Sequence, residues 1–112
     1  MNEFNAAQGT NIELQMANVL GDLSDAIKLA PNNGYLYYNR GTLYALRNDN
    51  QRAIDDCTRA IQLEQNLAEA YYNRGLVFIR LKRLDEAITD LSKAGEFGLY
   101  QAYSVIKKYT GK

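Results

Sequence analysis

The stretch Tyr37-Tyr38-Asn39-Arg40-Gly41 returns unchanged, 34 residues later, as Tyr71-Tyr72-Asn73-Arg74-Gly75. When Gly34–Leu67 is laid over Ala68–Gln101, four further identities appear: Ala53/Ala87, Ile54/Ile88, Asp56/Asp90 and Ala60/Ala94. Tyr44/Phe78, Thr58/Ser92 and Arg59/Lys93 are conservative pairs in the same frame. Carried backwards, the frame sets Asp22, Ala26, Ile27 and Leu29 against Asp56, Ala60, Ile61 and Leu63, so half of another unit lies upstream. A fixed period of this length marks a supersecondary unit that buries its apolar face against its neighbours.

Each unit divides into two helices. Tyr35–Leu46 and Glu69–Leu81 contain no Pro, and their apolar residues recur at helical spacing. The polar run Asn48-Asp49-Asn50 breaks the first pattern, and a second amphipathic stretch carries Ala53, Ile54, Cys57, Ala60 and Ile61. Ala87, Ile88, Leu91 and Ala94 repeat it. Gly41 and Gly75 fall in the middle of helices, where Gly costs roughly 1 kcal/mol relative to Ala. Their recurrence predicts a partner helix too close for a Cβ. Arg40 and Arg74 recur on first helices while Asp22, Asp56 and Asp90 recur on second helices. That pattern predicts a ladder of framework ion pairs, because a rigid guanidinium fork fixes the register of what it grips.

The chain resembles the tetratricopeptide repeat family, whose 34-residue unit is a helix–turn–helix. The family's unit carries, in order, an aromatic, Leu, Gly, an aromatic, Ala, an aromatic, Ala and Pro. Those places hold Tyr37, Arg40, Gly41, Tyr44, Ala53, Cys57, Ala60 and Gln65 in one unit. In the next they hold Tyr71, Arg74, Gly75, Phe78, Ala87, Leu91, Ala94 and Leu99. The upstream partial unit keeps Ala26 and Pro31. The resemblance implies an all-α fold, a right-handed α-solenoid of about two and a half repeats within one domain, 1–112. The expected parts are a partial repeat over 11–33, repeats over 34–67 and 68–98, and a capping helix within 99–112. The leading MNEFNAAQGT lacks the aromatic–Gly–aromatic signature. One helix is therefore expected from about Asn11 to Leu29, with a frayed or irregular lead. Leu99, Ala102, Val105, Ile106 and Tyr109 give the cap its apolar side, and Lys107, Lys108 and Lys112 its wet side. Gly98 is the expected C-terminal cap of the helix before it.

The resemblance also implies that first helices line a concave groove. Tyr35, Tyr38, Asn39 and Thr42 from one unit, with Tyr72, Asn73, Leu76 and Arg80 from the next, are the expected peptide-groove residues. Asn39 and Asn73 hold the place where groove-binding members hydrogen-bond an extended peptide's backbone. A carboxamide suits that task, offering donor and acceptor as a peptide unit does. Members that bind chaperone tails use a clamp of Lys, Asn and Arg. Glu69 occupies a place where a clamp Lys would lie, so a full clamp is not expected. The expected function is a non-catalytic interaction module that holds a peptide or helix of a protein partner. The alternative is homo-oligomerisation, or a scaffold role in a larger assembly, through the exposed edge of the first helix.

Composition narrows the other classes. Of 112 residues, 46% are hydrophobic and 23% charged, as in ordinary folded domains. Thirteen basic residues balance thirteen acidic ones, giving no electrostatic case for a nucleic-acid partner or a membrane surface. No apolar run approaches the length of a membrane span and no signal peptide is legible, so a cytoplasmic location is expected. The absence of His excludes Ser-His-Asp and Cys-His catalysis, and no phosphate loop or nucleophile motif is present. No cofactor, metal or catalytic residue is expected. The lone Cys57 sits at a core place and is expected to be inert. The basic cluster Arg80-Lys82-Arg83 is expected to be a solvated turn.

Overall fold

The computed structural model describes residues 3–111, with side chains described from Asn11 onward. Six α-helices order these residues: α1 (Glu3–Leu29), α2 (Gly34–Leu46), α3 (Asn50–Leu63), α4 (Ala68–Arg80), α5 (Leu84–Glu96) and α6 (Gln101–Thr110). Each packs on the next. The α2–α3 and α4–α5 hairpins are the tightest units, and α3–α4 joins them. The all-helical solenoid expected from the repeat is what forms.

The hairpins close where small residues let backbones approach. A Cβ on Gly41 would stand 3.1 Å from Asp56 Cβ, 3.3 Å from Cys57 Sγ and 3.4 Å from the Ala53 carbonyl oxygen. One on Gly75 would stand 3.0 Å from Leu91 Cγ and 3.3 Å from the Ala87 carbonyl. Ala53 and Ala87 are wholly buried opposite them, and Ala60 and Ala94, also wholly buried, face the next unit. Two clusters form the interior between units: Ala60, Leu67 and Ala70, then Leu91, Ala94 and Ala102.

The turns repeat with the period. Asn48 (φ 60°) and Lys82 (φ 61°) lie 34 residues apart and end α2 and α4 in the left-handed conformation. The amides that follow reach back over the turn, Asp49 to Tyr44 O at 2.9 Å and Arg83 to Phe78 O at 2.8 Å, which caps orphan carbonyls. Gly98 (φ 104°) ends α5 the same way, with Leu99 N donating to Ala94 O at 2.9 Å, as expected for a C-terminal cap. Each α-hairpin is then tied to the turn before it by a tyrosine. Tyr37 Oη donates to Pro31 O at 3.0 Å and Tyr71 Oη to Gln65 O at 3.3 Å. The proline is thus dispensable at Gln65, because the carbonyl rather than the ring receives the tyrosine.

The Arg–Asp ladder is present and reaches further than expected. Arg40 donates to both Asp56 oxygens, Nε at 2.7 Å and Nη2 at 2.8 Å, and its Nη1 reaches Ser24 Oγ at 3.2 Å. Arg74 repeats this with Asp90 at 2.7 Å twice and Thr58 Oγ1 at 3.0 Å. Each guanidinium therefore joins three helices, its own and the second helices of two successive units. Each also lies 5.9 Å from two aromatic rings, Tyr37 and Tyr44 for Arg40, Tyr71 and Phe78 for Arg74. The paired carboxylate raises both guanidinium pKa values against the opposing effect of burial.

One expectation needs correction. The first helix begins at Glu3 and runs unbroken to Leu29, eight residues earlier than Asn11, in place of an irregular lead. The left-handed place held by Asn48 and Lys82 corresponds here to Leu14, a residue that does not favour that conformation, so no turn divides the helix. The basic cluster is exposed, as expected, and its two arginines are also paired. Arg83 pairs with Glu86 at 2.7 and 2.8 Å and lies 4.7 Å from the Phe78 ring, and Arg80 is tied to the preceding hairpin.

Candidate functional site

A concavity of about 260 Å³ lies between α2 and α4, lined by Thr42, Ala45, Leu46, Asn48, Asn73, Leu76, Val77 and Arg80. Four of the expected groove residues meet there: Thr42, Asn73, Leu76 and Arg80. They share a wall because first helices of successive units lie side by side, α2 against α4.

Its polar wall is internally wired. Asn73 Nδ2 donates to Thr42 Oγ1 at 2.9 Å, and Thr42 Oγ1 donates to Tyr38 O at 2.9 Å. Thr42 thereby gives its only proton to the Tyr38 carbonyl, and Asn73 makes no other side-chain hydrogen bond among the described residues. Arg80 Nη1 donates to Ala45 O at 2.9 Å and Asn50 Oδ1 at 2.8 Å. It closes one end of the concavity and clips α4 to the α2–α3 turn.

The other four expected residues lie outside this lining. Asn39 is exposed and makes no side-chain hydrogen bond among the described residues. Tyr35 is 53% exposed beside it on α2. Tyr38 packs on the Ala60, Leu67 and Ala70 cluster, and Tyr72 on the Leu91, Ala94 and Ala102 cluster. Both are half-buried, so each divides its area between the surface and the framework.

Two lining residues were missed by the sequence reading. Asn48 and Val77 line the concavity through turn geometry and a helix rotation that no motif encodes. Lys107 stands 34 residues beyond Asn73, as Asn73 stands beyond Asn39. Because α6 packs on α5 much as α4 packs on α3, α6 takes the place of a third inner helix. A second concavity, of about 550 Å³, is lined by Ile79, Arg80, Lys82, Leu84 and Tyr109 and joins α4 to this third helix.

Cys57 takes no part in the groove. It is 1% exposed, and burial pushes its thiol pKa up to about 12. No group of three or more potential metal ligands occurs, and no helix is long and apolar enough to cross a membrane, among the described residues.

The tetratricopeptide repeat models match residues 34–67 and 68–97, end to end. Among solved structures the chain is similar to the tetratricopeptide domain of Arabidopsis OM64, at 28% identity and TM-score 0.82, covering 96% of this chain and 88% of that one. It is similar to the second such domain of human RPAP3, solved with the HSP70 peptide SGPTIEEVD, at 25% identity and TM-score 0.78, covering 95% and 90%. It is also similar to the second such domain of Spaghetti, bound to the HSP90 peptide SRMEEVD, at 26% identity and TM-score 0.70, covering 80% and 83%. No curated protein matches the chain.

Proposed function

This chain belongs to the tetratricopeptide repeat family, and on that premise we propose that it is a non-catalytic interaction module whose α2–α4–α6 face holds an extended peptide of a partner protein. The observation that carries the reading is the pair Asn39 and Asn73. Asn39 has both amide functions open, and Asn73 keeps its carbonyl oxygen and one amide proton after donating the other to Thr42. Spaced one repeat apart on adjacent inner helices, they match an extended backbone, which presents donors and acceptors at regular intervals. Lys107 would extend the row to a side-chain or terminal carboxylate. Leu76, Ala45 and Leu46 supply apolar floor for one ligand side chain.

Peptide capture by structural relatives supports the class of ligand. The row formed by Tyr35, Glu69 and Tyr103 lacks cations, which argues for a less acidic peptide than those two. The test is fluorescence polarisation against an array of nine-residue peptides that includes SGPTIEEVD. We expect a binder whose affinity falls at least about tenfold on Asn39→Ala, with the melting temperature unchanged. Binding that ignores Asn39→Ala would sink the groove assignment.

A second reading is self-association through α1. Ile12, Leu14 and Val19 are 55%, 59% and 45% exposed on that helix, more apolar surface than an isolated outer face needs.

A further inference from the structure

The two ends of the array are complementary halves of one repeat. α1 is placed as an outer, second helix: its Ser24 receives Arg40 as Thr58 receives Arg74. In register, Val19, Asp22, Leu23 and Ala26 correspond to Ala53, Asp56, Cys57 and Ala60, and to Ala87, Asp90, Leu91 and Ala94. All eight of those counterparts are buried beneath α2 or α4. On α1, Val19 and Asp22 are exposed and Leu23 and Ala26 only half-buried. Ile12 and Met16 continue this stripe at alternating spacings of four and three, the pattern of a helix-packing seam.

α6 shows the reciprocal condition. It packs on α5 as an inner, first helix. Its Lys108 stands in register with Arg40 and Arg74 and is exposed. Tyr109, at the Gly41 and Gly75 place, is 45% exposed.

We propose that the open face of α1 is covered by α6 of a second copy of this chain, with Lys108 meeting Asp22 as Arg40 meets Asp56 and Arg74 meets Asp90. The inference rests on the self-association reading and fixes its geometry. Charge decides the occupant. α1 carries four acidic residues and one lysine, so pairing α1 with another α1 would set acid against acid. α6 carries two lysines and no acid. Tyr109 replaces a glycine, so α6 sits farther from α1 than α2 does from α3, and the ring covers Val19 and Leu23. The contact is head-to-tail. It uses different surfaces on the two copies and leaves one of each open, so association proceeds past two copies to longer rows or rings.

Sedimentation velocity from about 10 μM to about 1 mM tests this with Asp22→Lys, Lys108→Asp and the double variant. Both sites of charge are exposed, and circular dichroism checks that the helices persist. Each single variant should weaken association at least about tenfold, and the double variant should restore it. A wild-type chain that stays monomeric throughout overturns both this arrangement and the self-association reading. Association that the single variants leave untouched, or that stops at a dimer, removes the α1–α6 arrangement and keeps self-association by another face.

Discussion

Arg40 grips Asp56 with two nitrogens, at 2.7 and 2.8 Å, while its third nitrogen reaches Ser24 on the previous unit at 3.2 Å. The carboxylate is nearly buried, with 8% of its side chain exposed against 21% for the arginine. Removing the arginine strands a desolvated charge, which is costlier than the pair is worth. We expect Arg40→Ala to lose ~3 kcal/mol in urea unfolding, and Arg40→Leu with Asp56→Leu to recover most of it. Peptide binding by the double variant should be unaltered, because the pair lies behind the groove wall.

Gly41 and Gly21 are both helical glycines, with opposite surroundings. A Cβ at Gly41 meets Asp56, Cys57 and the Ala53 carbonyl, all at 3.4 Å or less, whereas one at Gly21 meets nothing within 4 Å. Gly21→Ala should therefore stabilise by up to ~1 kcal/mol through helix propensity alone. Gly41→Ala gains the same propensity but must push α2 from α3, and should destabilise by ~1 kcal/mol net. Thermal unfolding of the two variants checks the sign, and equal shifts would contradict the close-packing account.

The period made the hairpins, the close glycines and the ion-pair ladder legible, since each depends on residues that recur in one frame. Arg80 shows where that stops. Its partners are Asn50 and the Ala45 carbonyl, 30 and 35 residues away, and a carbonyl leaves no trace in side-chain pattern. Tyr38 and Tyr72 show a second limit. Register gave their helix face, but only packing shows that Ala60, Leu67 and Ala70 occupy much of Tyr38. The place of Lys107, one period beyond Asn73, was legible in the same frame.

Lys82 ends α4 with φ 61°, at the place where Asn48 ends α2 with φ 60°. Asn tolerates the left-handed region and Gly tolerates it best, whereas a lysine Cβ crowds the following carbonyl there. Lys82→Gly should raise stability by ~0.5–1 kcal/mol, with Asn48→Gly changing it less. Lys82 also lines the concavity beside Tyr109, so ligand affinity measured alongside stability separates the two roles.

Cys57 lies under Ala53 and Gly41 with its thiol pKa pushed up to about 12 by burial, from an ordinary 9.0. The folded chain holds this proton more tightly than the unfolded chain. The thiol's contribution is therefore intact below pH 9.0 and is lost as pH rises from there toward about 12. Urea unfolding of the wild type and of Cys57→Ala should give a stability difference that is constant from pH 6 to 8 and shifts against the wild type above pH 9.0. At pH 8 an aromatic disulfide reagent should label Cys57 only as fast as the hairpin opens, orders of magnitude slower than in urea. Prompt labelling of the folded chain would mean that α2 and α3 separate far more readily than the Gly41 contact and the Arg40–Asp56 pair imply.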